Sequence, residues 1–227
     1  MTKHMKFPIY GFIGLISSLF MLAGCIIHVG ASDANGEYSY ASDKDYSSTN
    51  KSVSVASGKT IGDVSSVNGS ISIDDNVTAQ EVSNVNGRIT IADNVSVESV
   101  SIVNGRIKIG ENFKSTESVE TVNGSIDIEE GSYVGGNIET VNGDVELDNV
   151  KVAQDIVTVN GDLFLKNGTI IEGDVRFEGK PSNSNWRKNP PTLNVDEGSK
   201  ILGKIIIYKD VDFNFADPSM MEKVERR

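Results

Sequence analysis

Cysteine occurs once in the 227 residues, at Cys25, so no disulfide framework can form within one chain and a cysteine-based zinc site is excluded. Histidine is nearly as scarce: of two, only His28 lies beyond Cys25. A Ser-His-Asp triad or a histidine-bearing catalytic metal site therefore has no place in the body of the chain. Basic residues are in deficit, 21 against 32 acidic ones, for a net charge of −11. That charge repels phosphate backbones and argues against nucleic acid as a partner. Neither GxxxxGK[ST] nor a strand–GxGxxG–helix unit is present, and Gly135-Gly136 lacks the nonapeptide calcium repeat. Proline is rare, at 5, whereas glycine is plentiful, at 22. The mix suits a turn-rich all-β protein with a narrow core.

The first 25 residues read as a processing signal. Lys3 and Lys6 form a short basic region, Phe7 to Leu22 is mostly apolar, and Leu22-Ala23-Gly24-Cys25 follows. The apolar run is shorter than the roughly 20 residues of a spanning helix. Leu-Ala-Gly-Cys resembles the bacterial lipobox, and residues 1–25 resemble a lipoprotein signal peptide. The resemblance implies cleavage after residue 24 and acylation of Cys25, with the membrane as partner through that lipid. Loss of residues 1–24 removes two lysines and no acid, taking the net charge from −11 to −13. So acidic a body has no electrostatic pull toward an anionic membrane, and the lipid must hold it there. An Asp just after the Cys resembles an inner-membrane retention signal; here Ile26 stands there, which favours the outer membrane if the organism has one.

Residues 25–45 carry no sustained pattern and are rich in Ser and Asp, as a lipid-anchored, flexible tether would be. Tyr38, Tyr40 and Tyr46 are read as solvent-exposed linker residues, with a contact patch as the alternative.

Repeats decide the fold class. Val-Asn-Gly recurs with its asparagines and glycines at Asn68-Gly69, Asn86-Gly87, Asn104-Gly105, Asn123-Gly124, Asn142-Gly143 and Asn160-Gly161, in steps of 18, 18, 19, 19 and 18. After each comes a polar residue and then a triplet, usually apolar–polar–apolar: Ile71-Ser72-Ile73, Ile89-Thr90-Ile91, Ile107-Lys108-Ile109, Ile126-Asp127-Ile128, Val145-Glu146-Leu147, Leu163-Phe164-Leu165. Alternation of this kind is a strand signature. Three short strands with their turns close one coil, which predicts a single-stranded parallel β-helix over 46–215. Its coils stack about 4.8 Å apart. Val67, Val85, Val103, Val122, Val141 and Val159 are expected to form one inner ladder and the triplets two more. Asn-Gly is expected at a corner needing φ > 0, with the asparagines bonding along the stack. An insertion, 180–191, holds Trp186, the only tryptophan, with Arg187 and Lys188 beside it; it is either a partner or sugar contact or a flap over the coil end. Residues 216–227 read as a polar tail or short helix.

The stacked triplets resemble the bactofilin family of polymer-forming bacterial proteins, and Val-Asn-Gly-x-Ile-x-Ile resembles the adhesin-type group of β-helical cell-envelope proteins. The resemblance implies a right-handed β-helix and, for bactofilins, end-to-end filaments without nucleotide. Bactofilins are typically cytosolic, whereas this chain carries an export signal, so an envelope scaffold or self-associating module is the better expectation. An adhesin or glycan-binding lipoprotein is the alternative, and a carbohydrate-active enzyme comes third.

No cofactor is expected and no catalytic residue is assigned. The one constellation with the makings of chemistry is carboxylate-rich: Asp127, Glu129, Glu130, Asp144, Glu146 and Asp148. Asp127 and Glu146 hold the same outward triplet position in successive coils, close enough to share a cation or raise one pKa. Lys108 shares their stripe one coil earlier and would partly offset them. The plainer reading is solvated outer-face charge.

Overall fold

The computed structural model describes residues 45–179 and 190–227, and these form an all-β solenoid of parallel coils. Cys25, His28, Tyr38, Tyr40, Trp186, Arg187 and Lys188 lie outside the described residues. Three sheets run along the solenoid. Sheet A has ten strands, from Tyr46–Ser48 to Val224–Arg226; sheet B has nine, from Val53–Val55 to Asp212–Phe215; sheet C has six, from Ser96–Val97 to Lys200–Ile201. Each strand pairs in parallel with its equivalent one coil on, as Ile71 does with Ile89 and Val64 with Val82.

Alternation within each short strand sends one set of side chains inward. Sheet B supplies two of the columns expected from the triplets. One runs Val53, Ile71, Ile89, Ile107, Ile126, Val145, Leu163 and Leu193, and the other Val55 through Val195, all of them buried. Sheet A adds Val64, Val82, Val100, Val119, Ile138, Ile156, Val175 and Ile205, each fully buried. Large and small residues compensate along sheet C. Phe113 stacks beside Ser132, whose Oγ accepts the Phe113 N–H at 3.2 Å.

The valines of Val-Asn-Gly do not line the core. Val67 is 40% exposed and its five equivalents are half-buried on the outer face of sheet A. The residue one earlier points inward instead: Ser66, Asn84, Ile102, Thr121, Thr140 and Thr158. Alternation does not carry through the corner. Ser66 and Ile71 both face in although five residues apart, so parity counted back from the triplet assigns the valine to the wrong side.

The corner itself also differs from expectation. Gly87, Gly105 and Gly143 take φ of +148°, +147° and +156°, but none of the corner asparagines is left-handed. The left-handed asparagines are Asn76, Asn94, Asn112, Asn149 and Asn167, in the turn between sheets B and C. What the corner demands of its glycines is proximity. A Cβ on Gly105 would lie 1.6 Å from the Gly87 carbonyl oxygen, and one on Gly124 1.6 Å from that of Gly105.

Coils of 18 and 19 residues stack without loss of register because the extra residue enters at a corner. Lys114 pairs with Ser96, 18 back, whereas Val119 pairs with Val100, 19 back, so the addition lies at Thr116–Ser118. The 180–191 insertion is absorbed in the same manner: Leu193 pairs with Leu163 across it.

The solenoid runs past residue 215. The segment read as a tail forms a 3-10 turn, Pro218–Lys223, with Asp217 as N-cap, and then Val224–Arg226 adds the last strand of sheet A. Val224 and Met220 meet the core, which supplies the apolar drive that the charged composition of this segment conceals.

Candidate functional site

Three features stand out among the described residues: a side-chain amide column on one corner, an acidic stripe on sheet B, and the outer face of sheet A.

The corner asparagines form an unbroken chain of amide–amide bonds. Nδ2 of each donates to Oδ1 of the one before: Asn68 to Asn50 at 3.2 Å, Asn86 to Asn68 at 3.0 Å, then Asn104, Asn123, Asn142 and Asn160 each at 2.9 Å. Stacking at about 4.8 Å suits an amide, which offers a donor and an acceptor on opposite edges. The column ends where Gly179, which has no side chain, takes the register position of the next asparagine. There Lys209 takes over, its Nζ donating to Asn160 Oδ1 at 3.2 Å and to the Val159 carbonyl. A cation thus meets the acceptor end of a row of aligned dipoles.

At this corner and at others, carboxylates accept from backbone N–H groups of the next coil. Asp75 accepts from the N–H of Asp93, Asp93 from Glu111, Asp144 from Asp162, and Asp174 from Lys204, at 2.9 to 3.1 Å. Much of the acidity of the chain is therefore structural.

On sheet B, Asp127 and Glu146 are register partners, and Lys108 precedes Asp127 in the same column. Burial and the Glu146 carboxylate raise the Asp127 pKa. The stripe opens on a concavity of about 460 Å³ lined by Glu111, Asp127, Glu129, Glu130, Glu146 and Asp148, with Asn167 at one side. Lysines hold two of these acids. Lys108 pairs with Glu129 at 3.1 Å and Lys166 with Glu146, and both lysine pKa values are raised chiefly by those bonds. Among the described residues no group of three or more His, Cys, Asp or Glu is placed to hold a metal ion. The geometry is that of a solvated, salt-bridged face.

Sheet A is different. Its outward middle column places Glu120 beside Glu139 in register, and neither has a salt bridge among the described residues. Glu120 is pushed up to about 7, first by burial and then by Glu139 and Glu117. Burial likewise raises Glu139, against the Asn137 amide that donates to it at 2.9 Å. Beside these acids runs the valine column.

No family model, curated protein or solved structure matches the chain. Function must then be argued from the solenoid itself. Its C-terminal end is capped over sheet C: Met220 is buried against the core, Lys223 donates to the Ile201 and Leu202 carbonyls at 2.7 and 3.1 Å, and Lys209 ends the amide column. Charges of this kind blunt a sheet edge against pairing with another chain. At the other end Tyr46 is buried, its hydroxyl accepting from the Lys59 ammonium at 3.2 Å; it is a core residue of the first coil and not the solvent-exposed linker tyrosine expected. Nothing but residue-type periodicity distinguishes Tyr46 from Tyr38 and Tyr40, and one isolated aromatic carries no period. No helix among the described residues is long and apolar enough to cross a membrane.

Proposed function

We propose that this protein is a non-catalytic scaffold of the bacterial cell envelope: a lipid on Cys25 anchors it, a polar spacer follows, and a rigid β-helix presents flat faces to partners. The observation that carries the reading is the solenoid whose outward polar groups are spent on structure. Carboxylates bond the backbone of the next coil, amides bond each other, and in the one stripe with the makings of an acid–base pair Lys166 holds Glu146 and Lys108 holds the neighbouring Glu129. The lipobox-like Leu-Ala-Gly-Cys supports lipid anchoring, and Ile26 after it supports the outer membrane. The same reading makes self-association of the bactofilin kind short-ranged. Head-to-tail growth needs two open ends, and Lys223 and Met220 obstruct one of them over sheet C, with Lys209 on the amide column.

Palmitate labelling and membrane fractionation test the anchor. The chain is expected to incorporate label and sediment with membranes, and Cys25→Ala to do neither; an unlabelled or freely soluble wild type overturns it. Sedimentation velocity tests the end-cap argument, with species no larger than a dimer expected and long filaments contradicting it.

One observation favours a glycan-binding alternative. Phe164 faces outward from sheet B beside Asn194 and Asn214, whose amides bond each other at 2.8 Å, around an open hollow of about 260 Å³. An aromatic face next to amide donors suits a sugar ring. On that reading Phe164→Ala and Trp186→Ala abolish binding on an envelope-glycan array while the fold persists.

A further inference from the structure

The outer face of sheet A combines two features that the other faces lack. Val103, Val122, Val141 and Val159 form an outward apolar column, one residue per coil, half-buried only by their own neighbours in the sheet. Two residues earlier on each strand lies the column holding Glu120 and Glu139. On sheet B, Lys166 pairs with Glu146 and Lys108 with Glu129, and Lys108 also lies in register beside Asp127. Beside sheet C, Glu172 is matched by Lys151 at 2.9 Å. Asp155 and Asp174 are matched by Arg176, at 2.8 and 3.1 Å. Glu120 and Glu139 stack in register with no salt bridge among the described residues, at the cost of mutual repulsion; Arg176 shares their column two coils beyond Glu139 but is bonded to Asp155 and Asp174.

We propose that this face is a docking surface for a basic amphipathic helix of a partner protein, lying along the solenoid axis with an apolar row on the valines and a lysine or arginine row on Glu120 and Glu139. Charge complementarity selects a cationic partner, because an added cation offsets the stacked carboxylates, which within the fold are countered only by the Asn137 amide and the more distant Arg176 guanidinium. Spacing selects a helix. One helical turn advances about 5.4 Å against about 4.8 Å per coil, a drift near 2 Å over the three steps from Val103 to Val159. Alternate residues of an extended strand advance about 6.7 Å and drift nearly 6 Å over the same span. Helix-in-groove recognition uses the same apolar rows at i, i+3/i+4 and i+7.

The proposal deepens the scaffold reading by naming its partner's chemistry, and its test reads binding alone. The lipidated full-length product is held in nanodiscs of zwitterionic lipid and titrated with a designed helical peptide carrying four leucines on one row and four lysines on the next. Binding is expected, weakening about 10-fold or more with Glu120→Gln/Glu139→Gln and with Val122→Thr/Val141→Thr. The glutamine pair also flattens the salt dependence, as loss of an electrostatic contact should. Asp127→Asn/Glu146→Gln on sheet B leaves affinity unchanged. Equal binding by wild type and the sheet A variants, or equal loss from the sheet B pair, overturns the proposal, as does a peptide that binds only in the extended state by circular dichroism. Those failures leave the anchoring and sedimentation results intact, so they are distinguishable from failure of the scaffold reading.

Discussion

Asn123 Nδ2 donates to Asn104 Oδ1 at 2.9 Å, one coil away and 19 residues apart in sequence. Asn104 in turn donates to Asn86 at 2.9 Å, so each amide in the middle of the column is bonded on both sides. The column is exposed, and water replaces what a mutation removes. Asn104→Ala is therefore expected to cost about 1–2 kcal/mol in urea unfolding, the worth of two partly solvated hydrogen bonds. Asn104→Asp should cost more, since its carboxylate still accepts from Asn123 but sets a charged oxygen against the Asn86 Oδ1 acceptor, and the two repel. A null effect for both would mean that the amides merely coincide.

Corner glycines should be intolerant in proportion to crowding, not to dihedral angle alone. Gly124→Ala places a Cβ 1.6 Å from the Gly105 oxygen. Coils must part to admit it, and a loss of more than about 3 kcal/mol is expected, or failure to fold. Gly58→Ala, at φ +76° with open space around it, should cost only about 1 kcal/mol. Thermal unfolding of the two variants makes the comparison, and similar losses would contradict the contact.

Buried hydroxyls on sheet A give the opposite sign. Thr121 and Thr140 are buried with Oγ1 unbonded among the described residues, whereas Thr158 Oγ1 accepts the Gly161 N–H at 3.2 Å. Replacing an unpaired hydroxyl with a methyl removes a desolvation cost without opening a cavity. Thr121→Val and Thr140→Val should each stabilise by about 1 kcal/mol, and Thr158→Val should destabilise by a similar amount. Destabilisation by all three would show that the first two hydroxyls are satisfied in solution.

Glu120 ties stability to pH. Its carboxyl is raised from 4.5 to about 7 in the fold, so between those values the folded state holds more protons than the unfolded chain. Stability then falls as pH rises through that window and levels off above it. Glu139 and Glu81, also raised, act with the same sign. Glu120→Gln should flatten the profile and add about 1–3 kcal/mol at pH 8, since each pKa unit is worth about 1.4 kcal/mol. Urea midpoints at pH 5, 6, 7 and 8 read this directly, and a wild type that grows more stable from pH 5 to 8 while the variant matches it would refute the assignment.

Much of the solenoid is legible in the residues. Repeats of 18 and 19 positions set the coil, and Ile71 and Ile73 with their equivalents mark sheet B because their alternation is unbroken and apolar. Sheet A is harder to read. Its second inner column, next to the corner, is Ser66, Asn84, Ile102, Thr121, Thr140 and Thr158, mostly polar, while the adjacent outward column is valine, so hydropathy points the wrong way there. The Asp127–Glu146 stack follows from coil counting alone, but their lysine partners come from neighbouring coils in positions that no short motif announces. The Glu120–Glu139 pair has the same origin. Glu120 and Glu139 share a repeat position, Thr121 and Thr140 beside them share the next, and noticing the match needs the coil length first. Val224–Arg226 escaped notice because a strand of one apolar and two charged residues has no periodicity of its own.

Spin-label distances along one outward column test the stacked coil most directly. Ser72, Asp127, Glu146 and Phe164 share the outward column of sheet B, the last three lying three, four and five coils from the first. Label pairs from Ser72 to each should report about 14, 19 and 24 Å, rising by one coil spacing per step. Distances that fail to rise evenly, or that fall between successive repeats as chain-reversing hairpins would require, contradict the parallel solenoid.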